Sequence, residues 1–211
     1  MFLLPVVACK LFFLLPDCAR SKHQPRISCS YFLINHSHGP GKSVVEAEVI
    51  TEESPTADPE SNPRSARLIN AEDACRKHGG CCLRLAGLYT LERGAHSYWL
   101  NSGNDVTGRA DGIINLLHYD DAASAALAAL KVGSIVVQRR NFLISDNHPM
   151  TRYQICESAM KTKLFSDKKM PTFLGSESDP KGKLYDGTVS ERDLEWKPRY
   201  SSFDSFCIQN A

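Results

Sequence analysis

The stretch "CCLRLAGLY", Cys81 to Tyr89, is apolar almost without a break, and only Arg84 interrupts it. A strand covered on both faces by helices reads this way, because neither face meets water. The residues before it predict a helix over 65–78. Leu68, Ala71 and Cys75 fall on one helical face, while Arg76, Lys77 and His78 suit the negative end of the dipole. Gly79 can take the left-handed cap. The cluster Cys75, His78, Cys81 and Cys82 invites a zinc reading, but a helix end running directly into a buried strand splays those ligands. A core role is preferred for these cysteines.

Downstream, residues 92–112 are polar and dotted with glycine, which predicts a loop carrying one short helix around "HSYWL". "IINLL", 113–117, reads as a short strand. Asp120 or Asp121 can cap the helix "AASAALAALK", and Lys131 and Gly133 close it. "NFLISD", 141–146, reads as another strand, and Thr151 with Gln154 forms a capping box that opens the helix "TRYQICESAMK". Strand and helix therefore alternate from Ser65 to Lys161, as in a parallel α/β layer. Residues 42–64 form an acidic, proline-rich loop, with prolines at 55, 59 and 63. Residues 1–41 read as a leader, either targeting or unstructured, and 207–211 as a tail.

Composition narrows the function classes. Lysine plus arginine number 25 against 24 acids, so no net field draws in nucleic acid or an anionic membrane. The basic runs "QRRN" and "KTKLFSDKK" lack interleaved aromatic platforms and read as solvated faces. The apolar run at the amino end is broken by Pro5, Lys10 and Pro16 and does not span a bilayer. Its scarcity of acids faintly suggests an organelle transit segment. Eight cysteines without a C-x-x-C pair point to a reducing compartment. The chain is expected to be soluble and intracellular, in a plastid or the cytoplasm. "HGPGKSVV" resembles half a phosphate loop, but His36 stands where the first glycine is needed, so it reads as a turn.

"RLAGLY", "RGAHSYWL", "NLLHYDDAASAALAAL", "FLISDNHPMTRYQI" and "LEWKPRY" occur in that order, after an acidic loop "TEESP". Together they resemble the carboxy-terminal half of the extended or atypical short-chain dehydrogenase/reductases, the NAD-dependent epimerase/dehydratase-like group, and within it the YeeZ-like branch. The likeness runs from about residue 46 to 206. It implies a partial Rossmann-like parallel sheet with a small α/β substrate subdomain, NAD or NADP as cofactor, and a small nucleotide-sugar-like substrate. Two departures stand out. No G-x-G-x-x-G or G-x-x-G-x-x-G occurs among the thirteen glycines. Nor does any tyrosine have a lysine four places on; Ala66 and Asn70 occupy the spacing-equivalent positions. The chain alone is thus expected to hold no dinucleotide and to carry no catalytic residue.

The candidate ligand residues are Tyr89, Arg93, His118 and Lys183. Tyr89 ends a strand at the edge where open α/β sheets bind ligands, and the Arg93 guanidinium suits a phosphate or carboxylate, although it is equally a solvated loop residue. Lys183 matches a basic position of the family's substrate subdomain and is otherwise a surface lysine. His118, Asp120 and Asp121 lie between a strand and a helix. Sequential residues there point in different directions, which disfavours a metal site. The preferred reading is a hinge, in which Asp121 caps the helix and His118 holds backbone groups. Two classes remain: the substrate-side half of an NAD(P)-dependent epimerase- or dehydratase-like enzyme, truncated relative to the family, and a non-catalytic binding or interaction module of the same fold. With "CCLRLAGLY" as an unpaired edge strand and half the parallel sheet absent, the chain is also expected to be either marginally stable or self-associated.

Overall fold

The computed structural model describes residues 27–31, 46–56, 60, 63–103 and 105–211. The stretch read as one strand is in fact two. Strand β3 (Cys81–Leu85) lies between β1 (Ile27–Tyr31) and β7 (Asn141–Ile144), and all three run parallel. After Ala86 the chain continues as β4 (Gly87–Tyr89), which leaves this sheet and pairs in parallel with β6 (Leu116–His118). As a whole, "CCLRLAGLY" is therefore not the single unpaired edge expected. Its first half is hydrogen-bonded on both sides, and the argument for self-association from an exposed edge there falls.

The sheet also begins earlier than expected, because Ile27–Tyr31 of the supposed leader is one of its strands. The phosphate-loop-like segment, the acid-poor amino end and most of the rest of the leader lie outside the described residues. Within the acidic loop, β2 (Glu48–Ile50) pairs in parallel with β9 (Lys183–Tyr185), and the first helix already starts at Pro63.

Helix α1 (Pro63–Lys77) precedes β3 as the spacing predicted, and Gly79 turns the chain with φ 79°. Its inward face differs from the apolar one read in the sequence. Ile69 and Glu72 are buried, whereas Ala71 is exposed. The reason is Arg84 on β3: its guanidinium donates to the Glu72 carboxylate at 2.8 Å, so a charged residue occupies the core-facing stripe with its partner opposite.

The remaining elements are α2 (Ala95–Ser102), β5 (Ile113–Ile114), α3 (Tyr119–Lys131), α4 (Ser134–Val137), β8 (Met150–Thr151), α5 (Arg152–Met160), α6 (Thr188–Asp193) and α7 (Phe203–Gln209). The Thr151 and Gln154 capping box opens α5. "IINLL" is broken at Asn115. Its side chain donates to the Lys183 carbonyl at 2.8 Å and accepts from the Tyr185 N–H at 2.9 Å, so it serves β9 as a strand neighbour would. Helix α7 extends into the expected tail and buries Cys207.

Two apolar clusters result, and the two faces of the β4–β6 pair divide them, with Leu88 and Leu117 toward one and Tyr89 and Leu116 toward the other. Leu83, Leu85, Phe142 and Ile144 pack with Ala125, Ala129, Leu194 and Trp196. Tyr89, Leu116, Ile155 and Phe165 pack with Phe203 and Phe206. Gly87 sits where the chain changes sheets, and a β-carbon there would stand 3.0 Å from the Asn115 carbonyl oxygen, tighter than an ordinary side-chain contact.

Candidate functional site

The register of β4 and β6 sets Tyr89 directly beside His118, with ring centroids 5.2 Å apart. Both are buried. Phe203 and Phe206 of α7 approach Tyr89 at 4.9 and 5.3 Å, and Tyr200 meets His118 at 4.3 Å. The aromatic rings place the pair under α7 rather than in an open cleft.

His118 is the N-cap of α3: its Nδ1 accepts from the Asp120 N–H at 3.1 Å. This corrects the assignment of the cap to Asp121. The flanking residue has the extended backbone that turns its side chain over the first N–H groups, and Asp121 is already the third residue of the helix. The Asp121 carboxylate instead turns across the structure and accepts from the N–H groups of Arg199 (2.7 Å) and Tyr200 (3.1 Å), fixing "LEWKPRY" over α3. The Trp196 indole donates to the Ser124 hydroxyl from the same segment.

A fourth polar residue, Asp146, belongs to this group and was not singled out from the sequence. It follows β7 and is buried. One carboxylate oxygen accepts from the His148 N–H at 3.0 Å, while the other, Oδ2, has no hydrogen-bond partner among the described residues. The Tyr89 hydroxyl is likewise without one. Burial pushes the Asp146 carboxyl up to about 7, with Asp121 adding to the rise. Burial, then Asp146 and Asp121, keep the Tyr89 phenol protonated well above its ordinary range. Burial also lowers His118, against the pull of Asp120 and Asp121. The group thus combines a neutral phenol, a neutral imidazole and a carboxyl able to exchange a proton near neutrality. The only signal in the sequence was an acid placed at the carboxyl end of a buried strand.

The other two candidates sit apart from this group in their contacts. Arg93 is exposed, with its guanidinium 5.7 Å from the Tyr119 ring centroid. Lys183 lies on β9 and is only 7% exposed, with its ammonium 3.9 Å from Glu48. It is not a surface lysine. A shallow cavity of about 140 Å³ is lined by Tyr98, Trp99, Ser102, Asp105, Val106 and Thr107. Small-molecule sites usually enclose roughly 300–1,000 Å³.

A dinucleotide would need closely spaced glycines between a strand and the amino end of a helix. The described strand-to-helix turns carry at most one each: Gly94 before α2, Gly187 before α6, and none before α3 or α5. The paired Gly79 and Gly80 join a helix to a strand, the opposite order. Ala66 and Asn70 lie one helical turn apart on α1, and neither side chain can exchange a proton. The described residues supply no such strand-to-helix turn. Among them, no helix is long and apolar enough to cross a membrane, and no three His, Cys, Asp or Glu side chains converge for a metal ion.

No family model matches the chain, and no curated protein matches it. Solved structures do. A dTDP-glucose 4,6-dehydratase from Bacillus anthracis, in complex with NAD, superposes with TM-score 0.63 at 16% identity, covering 88% of this chain and 60% of its own. A UDP-glucose 4-epimerase from Thermotoga maritima, with UDP-glucose, gives 0.64 at 17% identity, covering 87% and 61%. A UDP-glucuronic acid 4-epimerase from Bacillus cereus, in complex with NAD, gives 0.65 at 14% identity, again covering 87% and 61%. The chain spans about three fifths of the length of these structures. At such identities the likeness is one of fold, and the fold is the expected partial Rossmann-like one.

Proposed function

We propose that this chain, which has the fold of nucleotide-sugar epimerases and dehydratases, is a substrate-side unit that neither holds a dinucleotide by itself nor performs the proton transfer of such enzymes. The observation that carries this reading is the composition of α1. Packed against β3, it presents Ala66 and Asn70 where a proton-exchanging phenol and a lysine are needed. The absence of a glycine-lined strand-to-helix turn among the described residues supports the same reading. The ligand class is a nucleotide-sugar-like small molecule, drawn from what the similar structures bind. Tyr89, His118 and Asp146 supply polar groups for its hydroxyls once α7 is displaced, and Arg93 offers a cation to its phosphates.

Calorimetric titration of the purified chain with NAD⁺, NADP⁺ and UDP-glucose tests this. The coenzymes are expected to give no saturable heat, and micromolar affinity for either would refute the reading. A second reading, a binding module with no small-molecule ligand, is favoured by the rings of Phe203 and Phe206 over Tyr89. It predicts that UDP-glucose is silent as well, even in a chain whose α7 rings are reduced by Phe206→Ala.

A further inference from the structure

The structure assigns a thiol-exchange site to the seam between α1 and β3: Cys75 and Cys82 are placed to close an intramolecular disulfide when a low-molecular-weight disulfide such as oxidised glutathione is present. Three contacts carry this. The Cys75 thiol donates to the Cys81 carbonyl at 3.4 Å, which sets its sulfur against the peptide that leads into Cys82. In return, the Cys82 thiol donates to the Glu72 carbonyl at 3.6 Å, one helical turn before Cys75. The two thiols also lie close enough to share a hydrogen bond. Both sulfurs therefore point into one seam from opposite elements.

Strand pleating makes the pairing selective. Cys82 and Arg84 alternate with Cys81, Leu83 and Leu85 along β3. Arg84 reaches Glu72 on α1, and Cys82 shares that face. Cys81 belongs to the apolar cluster on the other side. Cys75 is half-exposed and Cys82 is buried, so the first encounter is with Cys75. Its thiolate attacks one sulfur of oxidised glutathione, breaks that S–S bond and releases one reduced glutathione. Cys82 then attacks the Cys75 sulfur of the mixed disulfide and releases the second, its proton passing to the departing thiolate. The chain loses two protons and two electrons, and the oxidant gains both. Arg76, with Nη1 4.0 Å from the Cys82 sulfur, favours the thiolate that this second step requires. It acts against the Cys75 hydrogen bond, burial and Glu72, which hold the thiol protonated. The slow step is thus the attack by Cys82, and it accelerates as pH rises.

The full chain is incubated with oxidised glutathione, remaining thiols are alkylated, and peptides are mapped by mass spectrometry without reduction. The expected result is a peptide cross-linked between Cys75 and Cys82, formed faster at pH 8.5 than at pH 7. Cys81→Ser should leave the cross-link intact. Cys82→Ser should trap glutathione on Cys75. A cross-link through Cys81, a wild-type chain in which glutathione stays on Cys75, or no reaction of either thiol would each overturn the assignment. Because mapping the unmodified protein is decisive alone, failure of a variant to fold does not rescue it.

Discussion

Two buried polar regions flank the stretch Cys81–Tyr89, and they differ in how completely their groups are satisfied. On the α1 side, the Glu72 carboxylate receives Arg84 at 2.8 Å and Arg76 at 3.3 Å, and Arg76 also donates to Asn141 and Asp73. On the α7 side, the Tyr89 hydroxyl and one Asp146 oxygen are equally buried but lack protein hydrogen bonds among the described residues. A buried group without a partner costs stability, so a saturated network reads as architecture and an unsaturated one as capacity held for something else. In this molecule the saturated region joins α1 to β3, and the unsaturated one lies between β4, β6 and α7.

Glu72 holds the saturated side together. Glu72→Ala leaves the Arg84 guanidinium buried without its carboxylate and should cost about 3–5 kcal/mol in urea unfolding. A loss below about 1 kcal/mol would mean the region is not the structural anchor described, given that ordinary surface substitutions fall within roughly 0.5 kcal/mol.

Asp146→Asn should act in the opposite direction and depend on pH. The folded carboxyl is raised to about 7, above roughly 3.9 for an unfolded aspartate, so its contribution to stability is present in acid and is lost as pH rises toward 7. The amide should therefore change little at pH 4 and stabilise the chain at pH 8, by up to about 4 kcal/mol. Thermal melts at the two pH values check it, and equal effects at both would remove Asp146 from the argument.

His118→Ala should destabilise α3 more than His118→Asn does, by about 1 kcal/mol, because asparagine keeps a side-chain acceptor for the Asp120 N–H. Arg93→Ala, exposed and stacked loosely on Tyr119, should shift stability by less than about 0.5 kcal/mol. If Arg93 is a ligand cation, the same change should instead show in the UDP-glucose titration.

The alternating elements, the Thr151 and Gln154 capping box and the Gly79 turn were legible in the sequence because each depends on a few neighbouring residues. So was the place where Tyr89 and His118 fall, since carboxyl ends of strands follow from strand order. Less was legible of α1, where hydrophobic periodicity misjudged the inward face. A carboxylate counts as polar in any such pattern, and only Arg84 across the seam makes it a core residue. Asn115 escaped notice for a similar reason, because its two hydrogen bonds reach residues about seventy positions away.

What the chain's own sequence determined is therefore local: which segments are strands and helices, and that neither the coenzyme glycines nor the tyrosine and lysine pair is present. Tertiary structure alone decided that one apolar run divides between two sheets, that Asp121 spans to Arg199 and Tyr200 while His118 caps, and that Lys183 is buried. The physical reason is range. Backbone preference and capping act within a helical turn, whereas burial, strand pairing and charge compensation are properties of residues that meet only after the chain has folded.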